Sequence, residues 1–158
     1  MTVLHLHLLL NHVPVVGALF ALLLFIVALT RRETVSAKFA LAFTAAMAAV
    51  AVVVYFTGGA AEDAVEKLAG VTEGSIHRHE EAAELTTIAF GVFGGLSLLA
   101  LLAFRSKKPP RWVALAGLVG TLALSTLMGW TANLGGKIRH TEIQGPSNQQ
   151  PFDRDSGD

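Results

Sequence analysis

Four stretches of the chain are apolar almost without interruption: Val13 to Thr30, Ala37 to Phe56, Leu85 to Phe104 and Trp112 to Ala132. The first extends back toward Val3. Each approaches the ~20 residues that a helix rising 1.5 Å per residue needs to cross a ~30 Å hydrocarbon layer. None carries a charge in its middle. Helices of a soluble bundle keep a polar face for water, and four that are apolar on every side leave no amphipathic partner to shield them. The pattern predicts an all-α fold, an integral membrane four-helix bundle. Its helices are expected over about 3–30, 37–57, 73–104 and 112–134, in one domain of residues 1–143.

The polar positions between the runs add detail. Thr57-Gly58-Gly59 closes the second run, and Ala61, Val65 and Leu68 then recur at helical spacing before Gly70, which predicts a short outer amphipathic helix. Thr72 suits the N-cap of the third helix, which is expected to begin about three turns before its apolar run. Pro14 either opens the first helix or kinks it, because proline has no N–H to give the carbonyl one turn back. Trp112 and Trp130 sit at opposite ends of the fourth run, as interfacial anchors do. The Gly-Pro-Ser-Asn-Gln-Gln-Pro stretch predicts a disordered tail over 144–158.

Charge gives the bundle a direction. Only 15% of residues are charged against 53% hydrophobic, where soluble domains carry about a quarter charged. The loop after the first run holds Arg31, Arg32 and Lys38, and the loop after the third holds Arg105, Lys107, Lys108 and Arg111. Lysine and arginine mark the cytoplasmic side, so both termini are expected outside, in a periplasm or its equivalent. No positive segment precedes the first run, which therefore reads as an N-out anchor and not as a cleaved signal peptide. A formal net charge of zero gives no attraction to nucleic acid. The absence of cysteine excludes disulfides, thiolate zinc sites and iron–sulfur clusters.

All six histidines, His5, His7, His12, His77, His79 and His140, fall at the outer ends of the helices in this topology. Glu62, Glu66, Glu80, Glu81, Glu84 and Glu142 stand near them in the sequence, with Arg78 and Arg139. Imidazole with carboxylate can bind a metal ion or relay protons, and imidazole alone can ligate haem iron. His77, Glu84, Gly91 and Gly95 share one helical face, on which Gly91-x-x-x-Gly95 admits a close neighbour or a flat ligand. His79 points the other way, toward Ala83, Thr86 and Phe90, and the spacing leaves open which of the two faces the bundle. In the first helix His5 and His12 share a face. In the fourth, Ser125, Gly129, Asn133 and Gly136 form a small polar face leading toward His140. For His5 and His7 the ordinary role of solvated boundary residues carries more weight than a ligand role. No nucleophile–base pair or phosphate loop points to a hydrolase or kinase.

Asn11-His12-Val13-Pro14, Thr57-Gly58-Gly59-Ala60-Ala61-Glu62, His79-Glu80-Glu81-Ala82-Ala83 and Gly135-Gly136-Lys137-Ile138-Arg139-His140-Thr141-Glu142 resemble signatures of small bacterial four-helix membrane proteins grouped as a domain of unknown function. The resemblance covers the chain except its tail and implies a multi-pass protein of a bacterial inner membrane. In layout it is similar to membrane b-type cytochromes, four-helix bundles with histidine-ligated haem, although the histidines here stand at helix ends.

Two occupants of the cluster are expected from this. The first is haem b in an electron-transfer or redox role, with His12 and His79 or His140 as axial ligands, Arg78 or Arg139 beside the propionates, and Gly91 and Gly136 making room. The alternative is a non-haem iron, zinc or manganese ion on His12, His79, His140, Glu62, Glu80 and Glu142. A third expectation has no cofactor: a structural or pH-responsive subunit of a membrane complex. Besides the lipid bilayer, a redox partner or a homo-oligomer is the expected company.

Overall fold

The computed structural model describes residues 2–61 and 71–139, the side chain of Arg139 excepted. The described chain is all-helical: α1 (Val3–Leu10), α2 (His12–Arg31), α3 (Thr34–Gly59), α4 (Glu73–Ala103) and α5 (Arg111–Arg139). The expected amphipathic helix after Ala61 and the expected tail lie outside the described residues.

Pro14 separates α1 from α2 by depriving the Leu10 carbonyl of its helical donor, so that regular hydrogen bonding lapses at Asn11. Asn11 keeps a right-handed helical conformation and its N–H bonds the His7 carbonyl at 2.8 Å. The two segments therefore run on as one rod, Val3–Arg31. Thr72 caps α4 as expected, its side chain accepting from the Ser75 N–H at 3.3 Å. α5 continues through Gly135-Gly136 to Arg139, beyond the expected end at 134, with Gly135 packed against a neighbouring side chain described below.

Four rods, Val3–Arg31, Thr34–Gly59, Glu73–Ala103 and Arg111–Ile138, are each long and apolar enough to cross a membrane. Their packing has the inside-out character that lipid imposes. The buried positions are mostly small, among them Ala18, Ala21, Ala28, Ala37, Ala40, Ala48, Ala51 and Ala82. Leu9, Val16, Leu23, Val53, Val92, Leu99 and Leu122 face outward. In water this distribution would forfeit the hydrophobic effect; in lipid, small residues let backbones approach while large ones meet acyl chains. These facts identify a multi-pass membrane protein.

The rods form a square. α2 packs on α3 and α5, and α4 packs on the same two, so that the first helices of the two hairpins stand on one diagonal and the second helices on the other. Glycines set the closest approaches: a Cβ on Gly94 would overlap Ala48, and one on Gly117 would overlap the Phe25 ring. Phe25 and Phe90 are the largest of the fully buried side chains. At the end of the bundle holding Arg31 and Arg105, Lys38 of α3 donates to the Arg105 carbonyl at 2.7 Å and ties the start of α3 to the loop after α4.

Candidate functional site

Two of the described histidines enter the bundle, and they do so alike. His7, on α1, is half-buried; its Nδ1 lies 3.2 Å from the Val54 carbonyl and 3.3 Å from the Thr57 hydroxyl on α3. His79, on α4, is half-buried with Nδ1 3.1 Å from the Thr131 carbonyl on α5. A ring nitrogen facing a carbonyl oxygen must carry the proton, so each Nδ1–H donates and, in the neutral ring, each Nε2 keeps its lone pair. Each ring also lies against a glycine one helical turn beyond its carbonyl partner. A Cβ on Gly58 would come within 3.0 Å of His7 Cε1, and one on Gly135 within 2.9 Å of His79 Cε1.

The likeness extends along both hairpins. Thr44 and Thr121 hold equivalent places before these glycines; both are 1% exposed, and each donates at 2.8 Å to the carbonyl one turn back, that of Ala40 or Gly117. Ala37 matches Ala114, and Ala61 matches Ile138, all buried. The two hairpins are thus structural repeats around the bundle axis. His7 and His79 are equivalent points on the two diagonal rods, Val3–Arg31 and Glu73–Ala103.

Around this pair the hairpins differ. Thr131, beside His79, donates its hydroxyl to the Ala82 carbonyl at 3.2 Å and lies 2.8 Å from the Thr86 hydroxyl, linking α4 to α5 inside the bundle. At the matching positions the first hairpin has Val54 and Pro14, which offer no hydroxyl. One turn beyond His7, Asn11 has its Oδ1 buried with no hydrogen-bond partner among the described residues.

The other expected site residues are distributed as follows. His12 is exposed and does not join the pair. His5 is exposed at the start of α1, its ring 2.7 Å from Thr2 Oγ1, the solvated role expected of it. His7 does not have that role: it is held inside the bundle. His77 is exposed and meets Glu81 at 3.3 Å, a surface pair of small energetic weight. Of the two neighbouring histidines of α4, it is therefore His79 that faces the bundle. Arg78 is exposed and donates through Nε to the Gly74 carbonyl at 3.0 Å. Glu80 is half-buried and Glu84 exposed.

Gly91 and Gly95 are exposed and face open space, so their shared face looks out of the bundle. Gly136 has open space beside it too. On α5 the inward face runs through Thr121, Leu124, Met128, Thr131 and Gly135, not through Gly129 and Asn133, which are exposed. Glu62, Glu66, His140, Glu142 and the Arg139 side chain lie outside the described residues. Among the described residues no three His, Cys, Asp or Glu side chains gather around one point.

The signal for His7 was present in the chain. Ala28, Phe25, Ala21, Ala18 and Pro14 form the inward stripe of α2, and continuing that spacing toward the N-terminus reaches Asn11 and then His7. Comparison with models of known protein families, with curated proteins and with solved structures gave no match.

Proposed function

We propose that the protein is an electron carrier of a bacterial inner membrane that holds haem b between His7 and His79 at the outer end of its bundle. The observation that carries this reading is the matched pair of imidazoles on diagonal helices, each with Nδ1–H given to a backbone carbonyl. Bonds of this kind from Nδ1–H to a carbonyl fix the tautomer and orientation of a metal-ligating histidine and leave Nε2 for the metal. Two imidazoles are the whole protein ligand set of a six-coordinate haem, so the donor chemistry fits the group. When bound, haem supplies a one-electron couple. The chain's part is to hold both rings by the Val54 and Thr131 carbonyls, to surround them with small side chains, and to offer Arg78 at the same end for propionate charge. The outward placement rests on the basic loops of the opposite end. The partner of this reading is a redox protein or small carrier on the outer side.

A second reading has a non-haem iron, zinc or manganese ion on the same two Nε2 atoms. Asn11 Oδ1 favours it. A buried acceptor without a donor costs about 1–3 kcal/mol, and a cation or a metal-bound water beside it would remove that cost.

An absorption spectrum of detergent-purified protein, from cells grown with haem precursor and trace metals, tests both when joined to elemental analysis. A Soret band with about one haem per chain is expected. A stoichiometric metal without that band would select the second reading, and a folded protein with neither would remove both.

A further inference from the structure

The end of the bundle opposite the histidines is also built, and the proposed cofactor does not use it. Seven of the twelve lysines and arginines lie in its two short loops and adjoining helix starts, with Glu33 the one acid of the sequence at that end. Six of the seven, Arg31, Arg32, Arg105, Lys107, Lys108 and Arg111, are exposed. The seventh, Lys38, is half-buried and spends its ammonium on the Arg105 carbonyl. That bond holds the start of α3 against the loop of the second hairpin, and the six exposed charges lie at this one end of the bundle as a basic patch.

Arg32 adds a second observation. It is the one non-glycine residue of positive φ among the described residues, at φ 55 and ψ 30, where it closes α2 with its N–H on the Ala28 carbonyl. Glycine takes this left-handed capping position at least cost. An arginine kept there puts a guanidinium beside Arg31 at the expense of backbone ease, as functional sites commonly do.

We propose that this patch binds anionic phospholipid headgroups, and that it does so selectively over zwitterionic ones. The patch sits where the spanning helices end, at the level of the lipid phosphates. The anions at its own height are therefore those of the leaflet around it, and basic residues beside a membrane surface are drawn to acidic lipid. Arginine forks pair with phosphate oxygens in two parallel bonds. This holds whichever side of the membrane the patch faces and whether or not a cofactor occupies the other end.

Trp112, exposed beside Arg111 at this end, is the reporter. Trp130 lies toward the other end, so Trp130→Phe leaves Trp112 as the one tryptophan. The full chain carrying that change is reconstituted in zwitterionic vesicles, and brominated phosphatidylglycerol or brominated phosphatidylcholine is titrated in. Phosphatidylglycerol is expected to quench Trp112 at a several-fold lower mole fraction. Adding Arg32→Gly, Lys107→Gln and Lys108→Gln is expected to bring the two curves together. Arg32→Gly suits its backbone position, and retention of helical circular dichroism identifies a folded variant. Coincident curves in the parent protein, or a preference untouched in the folded triple variant, would overturn the proposal.

Discussion

The two hairpins solve one problem with different residues. In each, a histidine near the start of the first helix reaches across to the second, gives its Nδ1–H to a carbonyl and lies against the glycine one turn further on. In the second hairpin the surroundings are tied by hydroxyls, with Thr86, Thr131 and the Ala82 carbonyl forming a buried chain. In the first, Pro14 and Val54 stand at the matching places, and regular helical bonding lapses at Asn11 where α4 runs without a break. What the hairpins share is the imidazole, the carbonyl and the glycine. The hydroxyl network is dispensable to the clamp, and its geometry is what both halves preserve.

The widest effect is expected from the histidines themselves. His7→Ala and His79→Ala should each abolish the cofactor signal of the purified protein, because both ligands are required. His12→Ala should retain it, since that ring is exposed. Loss in the His12 variant with retention in the His7 variant would break the equivalence of the hairpins.

Glycine substitutions sharpen the comparison next. Gly58→Ala and Gly135→Ala push a methyl group into the two rings at 3.0 and 2.9 Å. Each should lower the unfolding free energy in detergent by roughly 1–3 kcal/mol, the range for overpacking, and weaken cofactor retention by comparable factors. Gly91→Ala, Gly95→Ala and Gly136→Ala face open space. They should be neutral or stabilising, by up to about 1 kcal/mol from helix propensity. A strong penalty at Gly91 with none at Gly135 would place the functional face on the wrong side of α4.

The smallest effect separates the hairpins. Thr131→Val makes the second resemble the first and removes the hydroxyl between Thr86 and the Ala82 carbonyl. A loss of about 0.5–1.5 kcal/mol is expected, in the range for hydrogen bonds inside membrane bundles. The His79 clamp should persist, because the Thr131 carbonyl is backbone. Loss of the cofactor here would show that the hydroxyl chain does more than join two helices.

Much of this was legible before any coordinates. Apolar runs of spanning length give the four rods, the Thr72 cap and the Pro14 interruption follow from local chemistry, and helical spacing sets His79 opposite His77. What hydropathy does not reveal is which face of a spanning helix turns inward, because leucine and valine serve lipid as well as a core. His12 therefore drew attention from its place in Asn-His-Val-Pro, whereas the inward stripe of small residues leads to His7. Gly91 and Gly95 misled for the same reason: a pair of glycines at helical spacing says that close approach is possible, not that a neighbour takes it up. The repeat is not visible in the sequence because its spacing changes. His7 and Val54 are 47 positions apart and His79 and Thr131 are 52, so no constant offset aligns both helices of the two hairpins.

Central to the account is that His7 and His79 meet across the bundle axis. The chain has no cysteine, so cysteines can be introduced at positions 7 and 79 without competing thiols and treated with a short, rigid bismaleimide in native membranes. Efficient cross-linking within one chain is expected for 7 with 79, and little for 12 with 79. Equal yields for the two pairs, or none for the first, would contradict it.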